Sequence, residues 1–136
     1  MNRALALLVV ALVAILPLSG CLSPQVDEAA LFTPAAETWP RVKPEYLRGI
    51  ERSVADGATT EPVAVNFREH GDRLGLALSA RNRTALRLLP WPTMRAYVEL
   101  GIATRLEAGE LGEHTAGSLR ERLAQFNQTL EKLRSL

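Results

Sequence analysis

The chain has 136 residues, with 16 lysines and arginines against 15 aspartates and glutamates, and only one cysteine. This length is enough for one small domain with a modest core, and the balanced charge gives no bulk basic character that would favour nucleic acid binding. A single cysteine excludes a disulfide within the chain, so stability must come from apolar packing.

The first 20 residues have the three parts of a cleavable export signal. Arg3 supplies the positive start, residues 4–16 are an unbroken apolar run, and residues 17–20 are small or turn-forming. The run has 13 residues, whereas a helix needs about 20 to cross a bilayer. We therefore predict a signal peptide over residues 1–20 and no transmembrane helix there.

This signal ends in Leu18-Ser19-Gly20-Cys21, which resembles the lipobox of bacterial lipoproteins. The resemblance implies that the Cys21 thiol carries a diacylglycerol through a thioether, that a peptidase cuts before Cys21, and that the new amino terminus is acylated. Cysteine suits this chemistry because a thiolate is a good nucleophile near neutral pH. Leu22 stands where an aspartate often retains lipoproteins in the inner membrane, so the resemblance favours the outer membrane, facing the periplasm. The alternative is an ordinary secretory signal followed by a chance cysteine.

Residues 21–38 are predicted to be the acylated cysteine followed by a flexible tether. Pro24, Pro34 and several alanines give this stretch no sustained period, and its acidic residues keep it solvated. The folded domain is then predicted to cover residues 39–136.

The predicted domain repeats itself with an offset of 52 residues, which divides it into copies 39–90 and 91–136. Ten of the 46 aligned pairs are identical, and they include both tryptophans of the chain, Trp39 and Trp91. Self-similarity at a fixed spacing predicts a tandem repeat. We expect each copy to form a helical hairpin.

The first helix of each copy is predicted to end at a glycine, Gly57 or Gly109, because a left-handed cap needs no side chain. The second helix is predicted to be capped by Asn66 in one copy and by Ser118 in the other, because each is a short polar residue three positions before a glutamate. The last helix carries an apolar stripe that either closes the core of the monomer or pairs two chains. Its members are Leu119, Leu123, Phe126, Leu130 and Leu133.

Residues 63–89 fit two structures. Apolar residues alternate in places, as in two β-strands joined near His70-Gly71-Asp72. On a helical wheel, however, one face collects Phe67, Gly71, Leu74, Leu78, Ala85 and Leu89. Since that face matches the stripe of the second copy, we choose helix. The predicted fold is all-α, a small four-helix bundle of two tandem helical hairpins, and the alternative is α+β with a hairpin at 63–89.

No catalytic, metal or cofactor site is predicted. His70 and His114 are the only histidines, and neither has a partner at metal-ligand spacing. The sequence also has no G-x-S-x-G motif and no glycine-rich phosphate loop. We therefore predict that the chain is not an enzyme.

Charge is the more informative feature, because residues 73–98 contain five arginines and no acid. If residues 67–89 form one helix, then Arg73, Arg83 and Arg87 lie opposite the leucine stripe. Such a face is either solvated surface or a patch for an anionic partner. We single out these three arginines as candidate partner-binding residues.

Together these features predict an envelope lipoprotein, held on a membrane by its lipid, that acts as a non-enzymatic protein-binding or assembly module. Its expected partner is another envelope protein, with no role for nucleic acid. The alternative is a structural lipoprotein that binds anionic lipid or cell-wall polymer through the arginine-rich face.

Overall fold

The computed structural model describes residues 27–136, which contain five α-helices. They are α1 (Glu28–Ala55), α2 (Glu61–Ser79), α3 (Arg83–Leu88), α4 (Trp91–Glu107) and α5 (Glu113–Ser135). The four long helices pack as a bundle, and no strand occurs in this part of the chain. The all-α prediction is therefore confirmed, and the alternative hairpin at 63–89 is wrong. None of these five helices is long and apolar enough to span a bilayer.

The predicted tether over residues 21–38 is wrong from residue 28 onward, because α1 begins there. Asp27 caps the helix, and its side chain accepts a hydrogen bond from the backbone N–H of Ala29 at 3.1 Å. Phe32 and Ala35 are each only 1% exposed, so they extend the apolar stripe of the domain toward the N-terminus. Packing of this stripe outweighs the proline at position 34.

Helix α1 contains three prolines, Pro34, Pro40 and Pro44. A proline inside a helix removes the donor for the carbonyl four residues earlier. All three prolines are exposed, so the carbonyls that lose their helical partners lie toward solvent and not in the core. This placement explains how a helix of 28 residues tolerates them.

The helix predicted through residues 67–89 is interrupted. Helix α2 ends at Ser79, Arg81 has a positive φ of 52°, and α3 begins at Arg83. The side chain of Asn82 accepts a hydrogen bond from the backbone N–H of Ala85 at 3.0 Å, so it caps a new helix. Asparagine favours the cap position, and the apolar period continues on both sides of it, so periodicity alone did not predict the break.

The predicted caps of the second helices are also wrong, because the observed caps lie six residues earlier in each copy. Helices α2 and α5 begin at Glu61 and Glu113, so Asn66 and Ser118 lie inside them. Thr60 and Gly112 occupy the cap positions in extended backbone, and neither makes a side-chain cap hydrogen bond.

Helices α1 and α4 touch backbone to backbone through two glycines. A Cβ atom on Gly49 would lie 1.7 Å from the carbonyl oxygen of Tyr97, and one on Gly101 would lie 1.8 Å from that of Glu45. Both the glycines and the carbonyls are 52 positions apart in the sequence. The two halves therefore make the same contact on each other, in reciprocal directions.

The same offset relates the ends of these helices. Gly57 and Gly109 have φ values of 74° and 72°. The N–H of Gly57 donates to the carbonyl of Val54 at 3.0 Å, and that of Gly109 donates to the carbonyl of Leu106 at 3.2 Å. Left-handed glycines therefore end both helices, as the sequence predicted.

Three aromatic side chains fill the centre of the bundle. The ring of Trp39 stacks on Phe126 at a centroid distance of 5.9 Å, and Trp91 meets Phe126 edge-on at 5.3 Å. Both indole N–H groups are satisfied, by the carbonyl of Gly71 at 3.0 Å and by Asn127 Oδ1 at 2.8 Å. Edge-on and offset pairs add to the stabilisation from burial alone.

The stripe on the last helix faces this core. Leu123, Phe126, Leu130 and Leu133 are buried, and Leu119 packs against the same cluster. The sequence left open whether the stripe pairs two chains, and the structure places it inside the monomer.

We predict that Gly49→Ala lowers the free energy of unfolding by about 1–3 kcal/mol, the usual range for overpacking. The added methyl group meets a backbone carbonyl, which cannot move aside without separating α1 from α4. Gly101→Ala should have the same effect, measured by urea unfolding.

The matched control is Gly117→Ala in α5, where an added Cβ meets nothing within 4 Å. That change should raise stability by up to about 1 kcal/mol through helix propensity. Equal stability of Gly49→Ala and the wild type would contradict the backbone contact.

Candidate functional site

The residues of the predicted lipidation site, Leu18, Ser19, Gly20 and Cys21, lie outside the described residues. Acylation of Cys21 therefore stays a prediction. The described residues show which surfaces the helical domain presents to its surroundings.

The three predicted arginines do not share one helix. Arg73 is on α2, exposed, and 3.6 Å from Glu69 of the same helix. Arg83 is on α3 and pairs with Glu28 of α1 at 3.4 Å. Arg87 donates to the backbone carbonyl of Arg134 at 3.2 Å and to that of Leu136. The break after α2 separates Arg73 from the other two, which tie α3 to its neighbours.

Two leucines are the most exposed large apolar side chains among residues 27–136. Leu76 is 71% exposed and Leu88 is 80% exposed, whereas Val63 and Val65 follow at 41% and 45%. The other leucines of residues 27–136 are buried or half-buried, and the exposure of these two costs free energy that binding can recover.

Leu76 separates two surface grooves. The α2–α3 groove has a volume of about 440 Å³ and is lined mainly by apolar side chains, among them Ala77 and Leu88. The α1–α2 groove has a volume of about 450 Å³ and is lined by residues that include Pro40 and Gly75. Leu76 lines both grooves, so it forms a ridge between them.

The α1–α2 groove combines an apolar floor with polar edges. A Cβ atom on Gly75 would lie 3.5 Å from Cδ1 of Trp39, so the missing side chain leaves the groove open down to the indole. Lys43 and Asp72 pair across one end at 2.6 Å. Pro40 cannot supply a helical donor to the carbonyl of Ala36, which leaves an acceptor beside the groove.

His70 lines the α2–α3 groove next to Arg73. Burial, and after it the positive charge of Arg73, lower the pKa of its imidazole. Its ring meets Phe67 edge-on at 5.3 Å, and its Nδ1 has no hydrogen-bond partner among the described residues. His114 lies in the first turn of α5, away from this groove. Within residues 27–136 no three histidine, cysteine or acidic side chains are grouped as a metal ion would require.

One buried ion pair was missed in the sequence. Glu45 of α1 is 2% exposed and accepts a hydrogen bond from the guanidinium of Arg105 of α4, which also lies 3.5 Å from Glu110. The 52-residue offset maps Glu45 onto Tyr97 and Arg105 onto Ser53. At that equivalent place a chain of hydroxyl groups runs from Ser53 through Thr59 to Tyr97, with oxygen distances of 2.6 and 2.8 Å.

The two halves therefore join α1 to α4 by different chemistry at equivalent positions. At one position the helices are joined by the ion pair of Glu45 and Arg105, and at the equivalent position by hydrogen bonds between neutral hydroxyl groups. A comparison of the two aligned copies gives the only sequence signal for this site, because it shows charged residues replaced by hydroxyl-bearing ones.

A larger charged cleft lies between the C-terminal ends of α1 and α4, with a volume of about 530 Å³. Arg52 lies 2.9 Å from Asp56 and 3.5 Å from Glu107, and Arg48 lies 3.2 Å from Glu110. These partners are exposed and oppositely charged, so they neutralise each other and add little to stability.

The chain matches no protein-family model, and comparison with curated proteins and with solved structures gives no significant match.

We predict that Arg105→Leu lowers the free energy of unfolding by about 3 kcal/mol, because it leaves the carboxylate of Glu45 buried without its partner. Adding Glu45→Gln to that variant should recover part of the loss. A double-mutant cycle by urea unfolding measures the coupling, and additive effects of the two substitutions would contradict the pair.

Proposed function

We propose that this protein is a lipid-anchored component of a bacterial cell envelope, and that it works by binding another protein and not by catalysis. The lipobox-like Leu18-Ser19-Gly20-Cys21 supports the anchor. The outer membrane, on its periplasmic side, is the proposed location because Leu22 follows Cys21.

The observation that carries the binding role is the Leu76 ridge. A side chain that is 71% exposed loses most of its contact with water when a partner covers it. Full burial of a leucine is worth about 1.5–3 kcal/mol. A groove on each side gives such a partner a shaped surface, of the kind that receives an amphipathic helix.

The α1–α2 groove favours a protein segment as the occupant. Its floor is apolar at Trp39 and Gly75, and its edge offers the pair Lys43–Asp72. The carbonyl of Ala36 lacks a helical donor because position 40 is proline. A peptide helix can cover this apolar floor, and a polar side chain at its border can donate to the carbonyl of Ala36.

Anchoring adds affinity without adding contacts. Two or more acyl chains hold a protein on a leaflet for long times. Confinement to one surface raises the effective concentration of the groove for partners on the same membrane. A groove with weak intrinsic affinity is then sufficient for an assembly role.

We predict that Cys21→Ser abolishes lipidation, leaves residues 1–20 attached and releases the protein from the membrane fraction. Serine lacks the thiolate that attacks the lipid donor. Intact-mass measurement of the purified protein tests this directly. Ser19→Ala is the control, since it keeps a small residue before the cleavage point and should be processed normally. An unmodified Cys21 in the wild type would contradict the anchor.

A photo-crosslinking amino acid at position 76 should give a discrete protein adduct in intact cells, and one at Val63 should not. Both positions are exposed on α2, but Val63 lies outside the grooves. The adduct should disappear in the Cys21→Ser background because the protein leaves its partner's membrane.

Gly75→Gln should also remove this adduct by filling the α1–α2 groove, whereas Gly75→Ala should leave it. The first atom of either side chain makes only ordinary contact with Trp39, so both variants should fold. Equal adducts from positions 76 and 63, or an adduct unaffected by Gly75→Gln, would contradict the proposed surface.

A further inference from the structure

One end of the bundle gathers the start of α1 and the ends of α2 and α5 around α3. Glu28 in the first turn of α1 pairs with Arg83 at 3.4 Å. Arg87 donates to the carbonyls of Arg134 and Leu136 at the end of α5. We call this the α3 end. The α1–α2 and α4–α5 loops, which contain Gly57 and Gly109, lie at the opposite end.

The α3 end is basic. Its cations are Arg81, Arg83, Arg87, Lys132 and Arg134, and the acids beside them are Asp27, Glu28 and Glu131. No acid occurs in residues 73–98, which pass through this end. Arg81 stands at the corner between α2 and α3, exposed, with no ion pair among the described residues.

The α3 end also carries the most exposed large apolar side chain of residues 27–136. Leu88 is 80% exposed, and it follows Arg87 directly at the end of α3. Apolar side chains surrounded by arginine are typical of segments that lie in the interface of an anionic membrane. In that arrangement Leu88 would enter the acyl boundary, and the guanidinium of Arg81, which has no ion pair among the described residues, would meet the phosphates.

The length of chain before α1 limits where this end can be. Five residues lie between Cys21 and Asp27, and the six Cα–Cα steps, at about 3.3–3.6 Å each, span at most about 20 Å. Glu28 is already in contact with α3. If Cys21 is acylated, as proposed above, the α3 end must stay within that distance of the leaflet, whereas α1 extends the other end about 40 Å away.

We infer that the α3 end lies on the anionic headgroups of the leaflet that holds the acyl chains, with Leu88 inserted below the phosphates. The inference rests on the proposed lipid anchor. It makes the α1–α2 groove a lateral surface, open to partners on the same membrane. It also gives α3 a role in addition to the burial of Leu86 in the core.

The test uses the full chain, purified in its processed form and reconstituted into phosphatidylethanolamine vesicles with or without phosphatidylglycerol. The sulfur of Cys21 is blocked by its thioether, so Leu88→Cys supplies the one thiol for an environment-sensitive fluorophore. Lipids brominated near the headgroup should quench the probe at position 88 in phosphatidylglycerol vesicles. The matched probe, from Val63→Cys near the opposite end, should not be quenched.

Charge removal at the corner should weaken this insertion. Arg81→Asn keeps a residue that tolerates the positive φ, and it should reduce the quenching at position 88. Added salt should do the same because headgroup attraction is screened. Arg81→Gly also removes the charge, and glycine adopts the positive φ without strain, so it should reduce the quenching in the same way.

Four results would overturn the inference. The first is equal quenching at positions 88 and 63, and the second is quenching that does not depend on phosphatidylglycerol. The third is a probe at position 88 that is already buried in vesicle-free solution, which would indicate pairing of two copies. The fourth is a lipidated protein that floats with the vesicles while position 88 stays exposed, which contradicts this orientation but not the anchor. A protein whose mass shows no lipid contradicts the proposed function itself.

Discussion

Close approach of α1 and α4 is the constraint on which the rest of this structure depends. Because Gly49 and Gly101 have no side chains, two backbone surfaces meet where a methyl group would collide with a carbonyl oxygen. The closeness brings Trp39, Trp91 and Phe126 into one cluster at the centre. Helices α2 and α5 then pack on the outside of this central pair, α2 against α1 and α5 against both, and α3 closes one end.

The regular spacing of apolar residues made the all-α fold predictable. Several helix boundaries were predicted wrongly because they depend on single residues. The stripe from Leu119 to Leu133 and the end of the first helix at Gly57 follow from periodicity and from the backbone freedom of glycine. The start of α1 could not be predicted in this way, because Pro34 is typical of a loop. The burial of Phe32 depends on contacts with other helices, which the local sequence does not show. The cap at Asn82 was not predicted because the apolar pattern continues on both sides of it.

The candidate surfaces were predictable only in part. The sequence showed that arginines are the only charged residues in 73–98, but it could not show that Arg83 contacts α1 and that Arg87 contacts α5. The exposure of Leu76 and Leu88 depends on which face of each helix packs against the bundle. For α3 this face is set by the break after α2, which the sequence did not predict. Ion pairs between distant helices, such as Glu45 with Arg105, have no local signature at all.

Because Gly75 has no side chain, the indole of Trp39 can report on the occupancy of the α1–α2 groove by its fluorescence. Trp39 lies directly beneath the vacant Cβ position, so a segment seated there would alter the emission of an indole that is otherwise shielded in the core. Occupancy of the groove could then be followed in the unlabelled protein by its own fluorescence.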